Sequence, residues 1–91
     1  MKKGTPTNDE LDLLSVRIAE KWKPLGRRLK IIEAKLTAFH KENEEYTEKA
    51  YKMLLHWKNR DGQDATYSVL YEALCSERVN EKLLAEEICC N

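Results

Sequence analysis

No stretch of this sequence approaches the roughly 20 consecutive apolar residues that a membrane-spanning helix requires, so no membrane insertion is expected. The basic start MKKGTPT leads into no apolar signal core, which points to a soluble, cytoplasmic protein. Three glycines and two prolines in 91 residues leave little room for disorder. Every glycine is isolated, so there is no loop of the kind that cradles phosphate. The three cysteines are an odd set: Cys89 and Cys90 are adjacent and strained to join, and Cys75 falls on an apolar stretch, so reduced thiols are expected. His40 and His56 lie in different segments without Cys or carboxylate at ligand spacing, which argues against a metal site. Ser15, Ser68 and Ser76 have neither a nearby histidine nor a glycine-rich elbow, which argues against a hydrolase. The chain is read as a non-enzyme with no cofactor, a small single domain that binds something.

What is present is helical periodicity. Residues 1–7 read as a flexible N-terminal arm and 8–91 as the domain. Thr7 to Glu10, TNDE, fits a capping box, and Leu11, Leu14, Ile18 and Trp22 follow at spacings of three and four, predicting a helix over about 8–20. WKPLGRRLK turns Trp22, Leu25 and Leu29 inward and Lys23, Arg27, Arg28 and Lys30 outward, with Pro24 tolerated in a first turn. In EAKLTAFHKEN, Leu36 and Phe39 repeat the inward spacing and Asn43 can end the helix.

The longest signal is EEYTEKAYKMLLHWKNRDG, with Ala50, Met53, Leu54 and Trp57 inward, acids Glu44, Glu45 and Glu48 in its first turns and Lys58 and Arg60 near its end, as the helix dipole favours. Gly62 supplies the stop, and Asp64 or Thr66 the cap of a fifth helix that contributes Val69, Leu70, Ala73 and Leu74. A sixth, capped by Asn80, is amphipathic through Leu83, Leu84 and Ile88. Six helices with short connections predict an antiparallel all-α bundle. Trp22 and Trp57 are read as core residues whose replacement by alanine costs about 3–5 kcal/mol.

The net charge of zero is a cancellation. Up to Lys41 there are ten Lys or Arg against five acids, and from Glu42 onward six against eleven, so the halves carry about +5 and −5. Separated poles suit recognition of a like molecule or of a partner carrying either pole. Nucleic acid is the rival ligand. WKNR is similar to the end of a homeodomain recognition helix, but Asn59 follows Trp57 by two residues where three are needed, and the acidic start of that helix would repel phosphate.

Taken together, Leu14, Ile18, Trp22, Leu25 and Leu29, then Leu36 and Phe39, then Trp57, Gly62, Ala65, Thr66, Leu70, Ala73 and Leu74 resemble the death domain pattern over about residues 9–88. The likeness is most specific in WKPLGRRLK and LLHWKNRDGQDAT. It implies a six-helix Greek-key bundle that does no catalysis and assembles homotypically with other death-domain proteins, receptor tails or adaptors, and with itself, in apoptotic or NF-κB and innate-immune signalling. The opening TNDELDLLSVRIAEKW is also similar to death domains of nuclear THO-type proteins, which makes a nuclear, nucleic-acid-associated helical domain the second reading. By matching position, the resemblance places Lys23, Arg27, Arg28 and Lys35 on one contact surface and Asp12, Glu45 and Glu48 on the complementary one. A further contact would use the turn Arg60, Asp61, Gln63 and Asp64. Three departures from the pattern stand out: Gly26 where an alanine-like residue is usual, Lys30 where a glycine is usual, and no capping side chain before Glu33.

Overall fold

Thr7 opens the first helix as the spacing predicts. Its hydroxyl accepts from the Glu10 N–H at 3.1 Å, and the Glu10 carboxylate accepts from the Thr7 N–H at 2.9 Å, which satisfies two free donors of α1 (Asn8–Ile18). The computed structural model describes all 91 residues. The helix predicted to reach residue 20 stops at Ile18, because Ala19 takes φ 48° and the chain passes through one 3-10 turn, Ala19–Lys21, into α2 (Trp22–Arg28). That break lets Ile18 and Trp22 enter the same core from two helices; each is only 2% exposed.

The end of α2 explains one departure from the family pattern. The Ile31 N–H donates to the Gly26 carbonyl and the Lys30 N–H to the Arg27 carbonyl, each at 3.0 Å, with Lys30 at φ 67°. This is a Schellman motif, whose left-handed position is usually glycine because a Cβ there is crowded by the backbone. Lys30 holds it with help from the Arg60 side chain, which binds the Leu29 and Lys30 carbonyls. Gly26 explains the second departure, since a Cβ built there would lie 2.7 Å from Leu36 Cδ2 and 3.2 Å from Met53 Cγ. Glycine is what lets α2 approach Leu36 and Met53 so closely.

Helix α3 (Glu33–Glu42) starts at Ile32 without a side-chain cap, as its sequence foretells. Asn43 ends it, its side-chain amide donating to the Phe39 carbonyl at 3.0 Å. In α4 (Tyr46–Asp61) Glu45 is the N-cap position, so only Glu48 of the three expected acids lies in the first turn. Gly62 stops α4 at φ 56°, a 3-10 turn spans Gly62–Asp64, and Thr66 rather than Asp64 caps α5 (Tyr67–Cys75) by accepting from the Val69 N–H. Helix α6 (Lys82–Cys89) starts from Glu81, while Asn80, the expected cap, is a positive-φ turn residue at 53°.

Helix α4 is the central element: α1, α2 and α3 all pack on it, α1 also touches α6, and α5 packs on α6 and α2. These are the neighbours of a six-helix antiparallel Greek-key bundle. Its core holds Leu11, Leu14, Leu25, Leu36, Met53, Leu54, Trp57, Leu70 and Leu74, all fully buried. Two expected core residues face solvent, Val69 at 40% and Leu83 at 80% exposure. Adjacent helical positions are about 100° apart, so of Leu83 and Leu84 only one can join Ile88 on the inner stripe. Leu84 does, and Ala85 and Cys89 complete the stripe. On α5 the inner stripe starts at Tyr67, which leaves Val69 outside it.

The N-terminal segment, expected as a flexible arm, has partners. The Lys2 N–H donates to the Cys89 carbonyl at 2.8 Å, the Tyr67 N–H donates to the Gly4 carbonyl at 3.1 Å, and Pro6 is buried. The Lys2 ammonium meets Glu10 at 2.8 Å. The tie depends on α1, α5 and α6 each supplying a partner to the segment, which no local pattern encodes.

Candidate protein-interaction surface

The basic surface is built on α2 and α3, hinged at the Schellman turn. Arg27, Arg28 and Lys35 are exposed and Lys23 is half-buried, its ammonium 5.8 Å from the Trp22 ring. The four expected cations are not equally free. Arg27 makes a two-pronged pair with Glu33, Nε to Oε2 at 2.8 Å and Nη2 to Oε1 at 3.2 Å. The hydrogen bonds of that pair hold the guanidinium above its ordinary pKa and the carboxyl below its own. A partner's carboxylate must share Arg27 with Glu33. Ile32, 65% exposed, lies in the chain between these cations and adds an apolar contact point to a charged rim.

The acidic surface uses α1 and α4, which run antiparallel: the Lys58 ammonium near the end of α4 donates to Asn8 Oδ1 at the start of α1, at 3.0 Å. Glu45 and Glu48, at the other end of α4, consequently lie beside the C-terminal end of α1 and its 3-10 turn. Asp12 is exposed but sits about 9 Å further up α1, from six residues at 1.5 Å rise to Ile18. The exposed Glu20 of the 3-10 turn is thus the better companion of Glu45 and Glu48. Leu13 and Val16, 51% and 58% exposed, give the outer side of α1 an apolar centre.

The turn between α4 and α5 divides. Arg60 donates through Nη1 to the Lys30 carbonyl at 2.8 Å and through Nη2 to the Leu29 carbonyl at 2.7 Å, and it pairs with Asp61, Nε to Oδ1 at 2.6 Å. It clamps the last carbonyls of α2, where a cation meets the negative helix end. Arg60 and Asp61 therefore serve the fold first, whereas Gln63 and Asp64 are exposed and free to meet a partner.

Three features escaped the sequence. Lys49 is only 7% exposed, and its ammonium lies 2.9 Å from His40 Nδ1. An ammonium can only donate, so His40 accepts there as a neutral imidazole with its proton on Nε2. The Lys49 charge above all pushes the His40 pKa down, while burial, then Lys35 and Arg60, push down that of His56. Trp57 lines a groove of about 280 Å³ with Arg28, Lys30, Asp61, Val69 and Glu72, and its buried indole Nε1 has no hydrogen-bond partner. Arg78, in the α5–α6 connection, lies in a second groove beside Pro24, Arg27 and Arg28. Nothing in the local sequence SERVN joins Arg78 to α2; only the packing of α5 on α2 does.

Against known families, the Death domain model matches residues 8–88 of this chain.

Proposed function

Because the chain belongs to the death domain family, a family of protein–protein interaction modules that bind other death-fold domains, we propose that it assembles homotypically through the two poles described above. The basic surface of Lys23, Arg27, Arg28 and Lys35 on one copy meets the acidic surface of Glu45, Glu48 and Glu20 on a neighbour, with Asp12 further up α1 at its margin. The observation that supports this reading is that the chosen cations lie on α2 and α3, whereas the chosen acids lie on α1, the 3-10 turn after it and the start of α4. Such a contact is heterologous, so it can propagate along a chain of copies or recruit a different death domain at its end. Exposed ion pairs contribute little singly, so several must act at once, with Ile32, Leu13 and Val16 excluding water among them. In this reading the module is a cytoplasmic adaptor element of apoptotic or NF-κB-type signalling that gathers receptor tails or adaptors.

A charge-swap experiment tests it. Reversing Arg27 and Arg28 together to glutamate abolishes self-assembly or partner capture, with helicity and Tm nearly unchanged. Reversing Glu45 and Glu48 to lysine does the same. Mixing the two reversed proteins restores association, because the swapped poles match again. Assembly that survives either reversal in a folded protein sinks the reading. Association weakens with added salt as the poles are screened. Nucleic-acid binding would share that salt response, so titration with RNA and DNA separates the two, and tight binding there would move the assignment to the nuclear reading.

A further inference from the structure

The groove beside α2 joins Arg27 and Arg28 of the basic surface to Arg78, which the two-pole contact does not use. Pro24, Arg27, Arg28 and Arg78 line a space of about 360 Å³ with no carboxylate among them. The five ion pairs of the chain are Lys2–Glu10, Arg17–Glu87, Lys21–Glu81, Arg27–Glu33 and Arg60–Asp61, so Arg28 and Arg78 pair with no acid. Glu77, next to Arg78, and Glu72, which shares the neighbouring groove with Arg28, leave both guanidiniums unpaired. The backbone that carries Arg78 is also held in place. The connection is a tight turn in which the Asn80 N–H donates to the Ser76 carbonyl at 2.7 Å and the Glu81 N–H to the Leu74 carbonyl at 2.8 Å, while Val79 is fully buried. Arg27 is fixed from the other side by Glu33, which binds its Nε and Nη2 and leaves Nη1 unengaged.

We propose that Arg27, Arg28 and Arg78 form a binding site for a dianionic phosphoryl group, presented as a phosphorylated side chain of a protein partner. Glu33 offsets the charge of Arg27 alone and no acid pairs with Arg28 or Arg78, so the groove keeps an excess of positive charge, and a dianion with three acceptor oxygens matches several forked donors where a carboxylate engages one. The groove is open and larger than a single phosphate, which suits a phosphoryl group carried on a larger molecule rather than a sequestered free ion. The source of the group rests on the protein-binding reading above; the binding of the group does not.

The test follows arginine side-chain N–H resonances of the full chain at pH 7.5. The probes are a capped Gly-phosphoserine-Gly tripeptide, its serine and aspartate counterparts, and inorganic phosphate, each against chloride at matched ionic strength. The phosphoserine peptide shifts Arg28 and Arg78 saturably, well below the concentrations at which the serine and aspartate peptides act. Arg28→Gln and Arg78→Gln each weaken it about tenfold, the loss of a charge-assisted hydrogen bond, and Lys52→Gln, on the exposed side of α4, leaves it unchanged. Circular dichroism and Tm confirm that these surface variants fold. A site that treats phosphoserine and aspartate alike, or that ignores Arg78→Gln, overturns the proposal. Inorganic phosphate binding as tightly as the phosphopeptide overturns its assignment to a partner's side chain. Phosphoserine binding that persists in a protein unable to self-assemble upholds the site and tells against the two-pole reading alone.

Discussion

Glu10 is where three parts of the chain are joined, and removing its charge is the most informative single perturbation of this fold. Its carboxylate takes the Thr7 N–H, the Lys2 ammonium at 2.8 Å and the Tyr67 hydroxyl, so one group ties the N-terminal segment and α5 to the head of α1. Burial pushes its pKa up, but the bonds from Lys2, Thr7 and Tyr67 outweigh it and bring the value from 4.5 down to about 2. The same contact, after burial, pushes the Tyr67 hydroxyl up to about 12. A folded pKa below the unfolded one means that the unfolded chain takes up the proton first. The stabilisation is present above 4.5 and is lost as pH falls from there to about 2. At 1.36 kcal/mol per unit the shift corresponds to ~3 kcal/mol. The pair is partly open to solvent, its side chains 30% and 20% exposed, so screening leaves about 1–2 kcal/mol. A chain of this size has ~5–14 kcal/mol in all, so the effect is measurable. Urea unfolding at pH 7, 5, 4, 3 and 2 should show Glu10→Gln less stable by about 1–2 kcal/mol at pH 7, with the difference from the wild type closing toward pH 2. Parallel stability curves at every pH, or an NMR midpoint for Glu10 at 4 or above, would refute the reasoning.

Three further predictions rest on single residues. Gly26→Ala lowers stability by about 1–3 kcal/mol in denaturant titrations despite alanine's higher helix propensity, because its Cβ meets Leu36 Cδ2 at 2.7 Å; Leu36→Val in the same chain recovers part of the loss. Lys30→Gly raises stability by about 0.5–1 kcal/mol, relieving the left-handed φ of 67° while keeping the carbonyl that Arg60 binds; a loss of stability would show that the position is unstrained. Both histidines titrate below 6.5 by NMR, so stability falls as pH drops through 6.5 and levels once each folded pKa is passed. Lys49→Met returns the His40 midpoint toward 6.5, and an unchanged midpoint would remove Lys49 as its cause.

Much of the fold is legible in the residues because it is local. The capping box at Thr7, the inward stripes of α1 and α4, the stop at Gly62 and the missing cap before Glu33 are each decided within one turn of helix, where spacing and backbone chemistry suffice. The stripes of α5 and α6 were read one position too wide, since Val69 and Leu83 are as apolar as their buried neighbours and only the direction of the partner helix selects between them. The candidate surface was legible as charge but not as geometry. Arg27 and Arg60 read alike as exposed cations, yet one shares its charge with Glu33 and the other caps the carbonyls of α2. Nothing in the sequence marks Lys49 as buried or Arg78 as a neighbour of α2.

By itself, then, the sequence determined six amphipathic helices, the ends set by Thr7, Gly62 and Thr66, and the opposite signs of its two halves. Only the tertiary structure decided why Gly26 must be a glycine, how Lys30 holds a glycine's conformation, and which arginines are free. Those questions turn on distances between segments far apart in the chain, which periodicity within a segment does not encode.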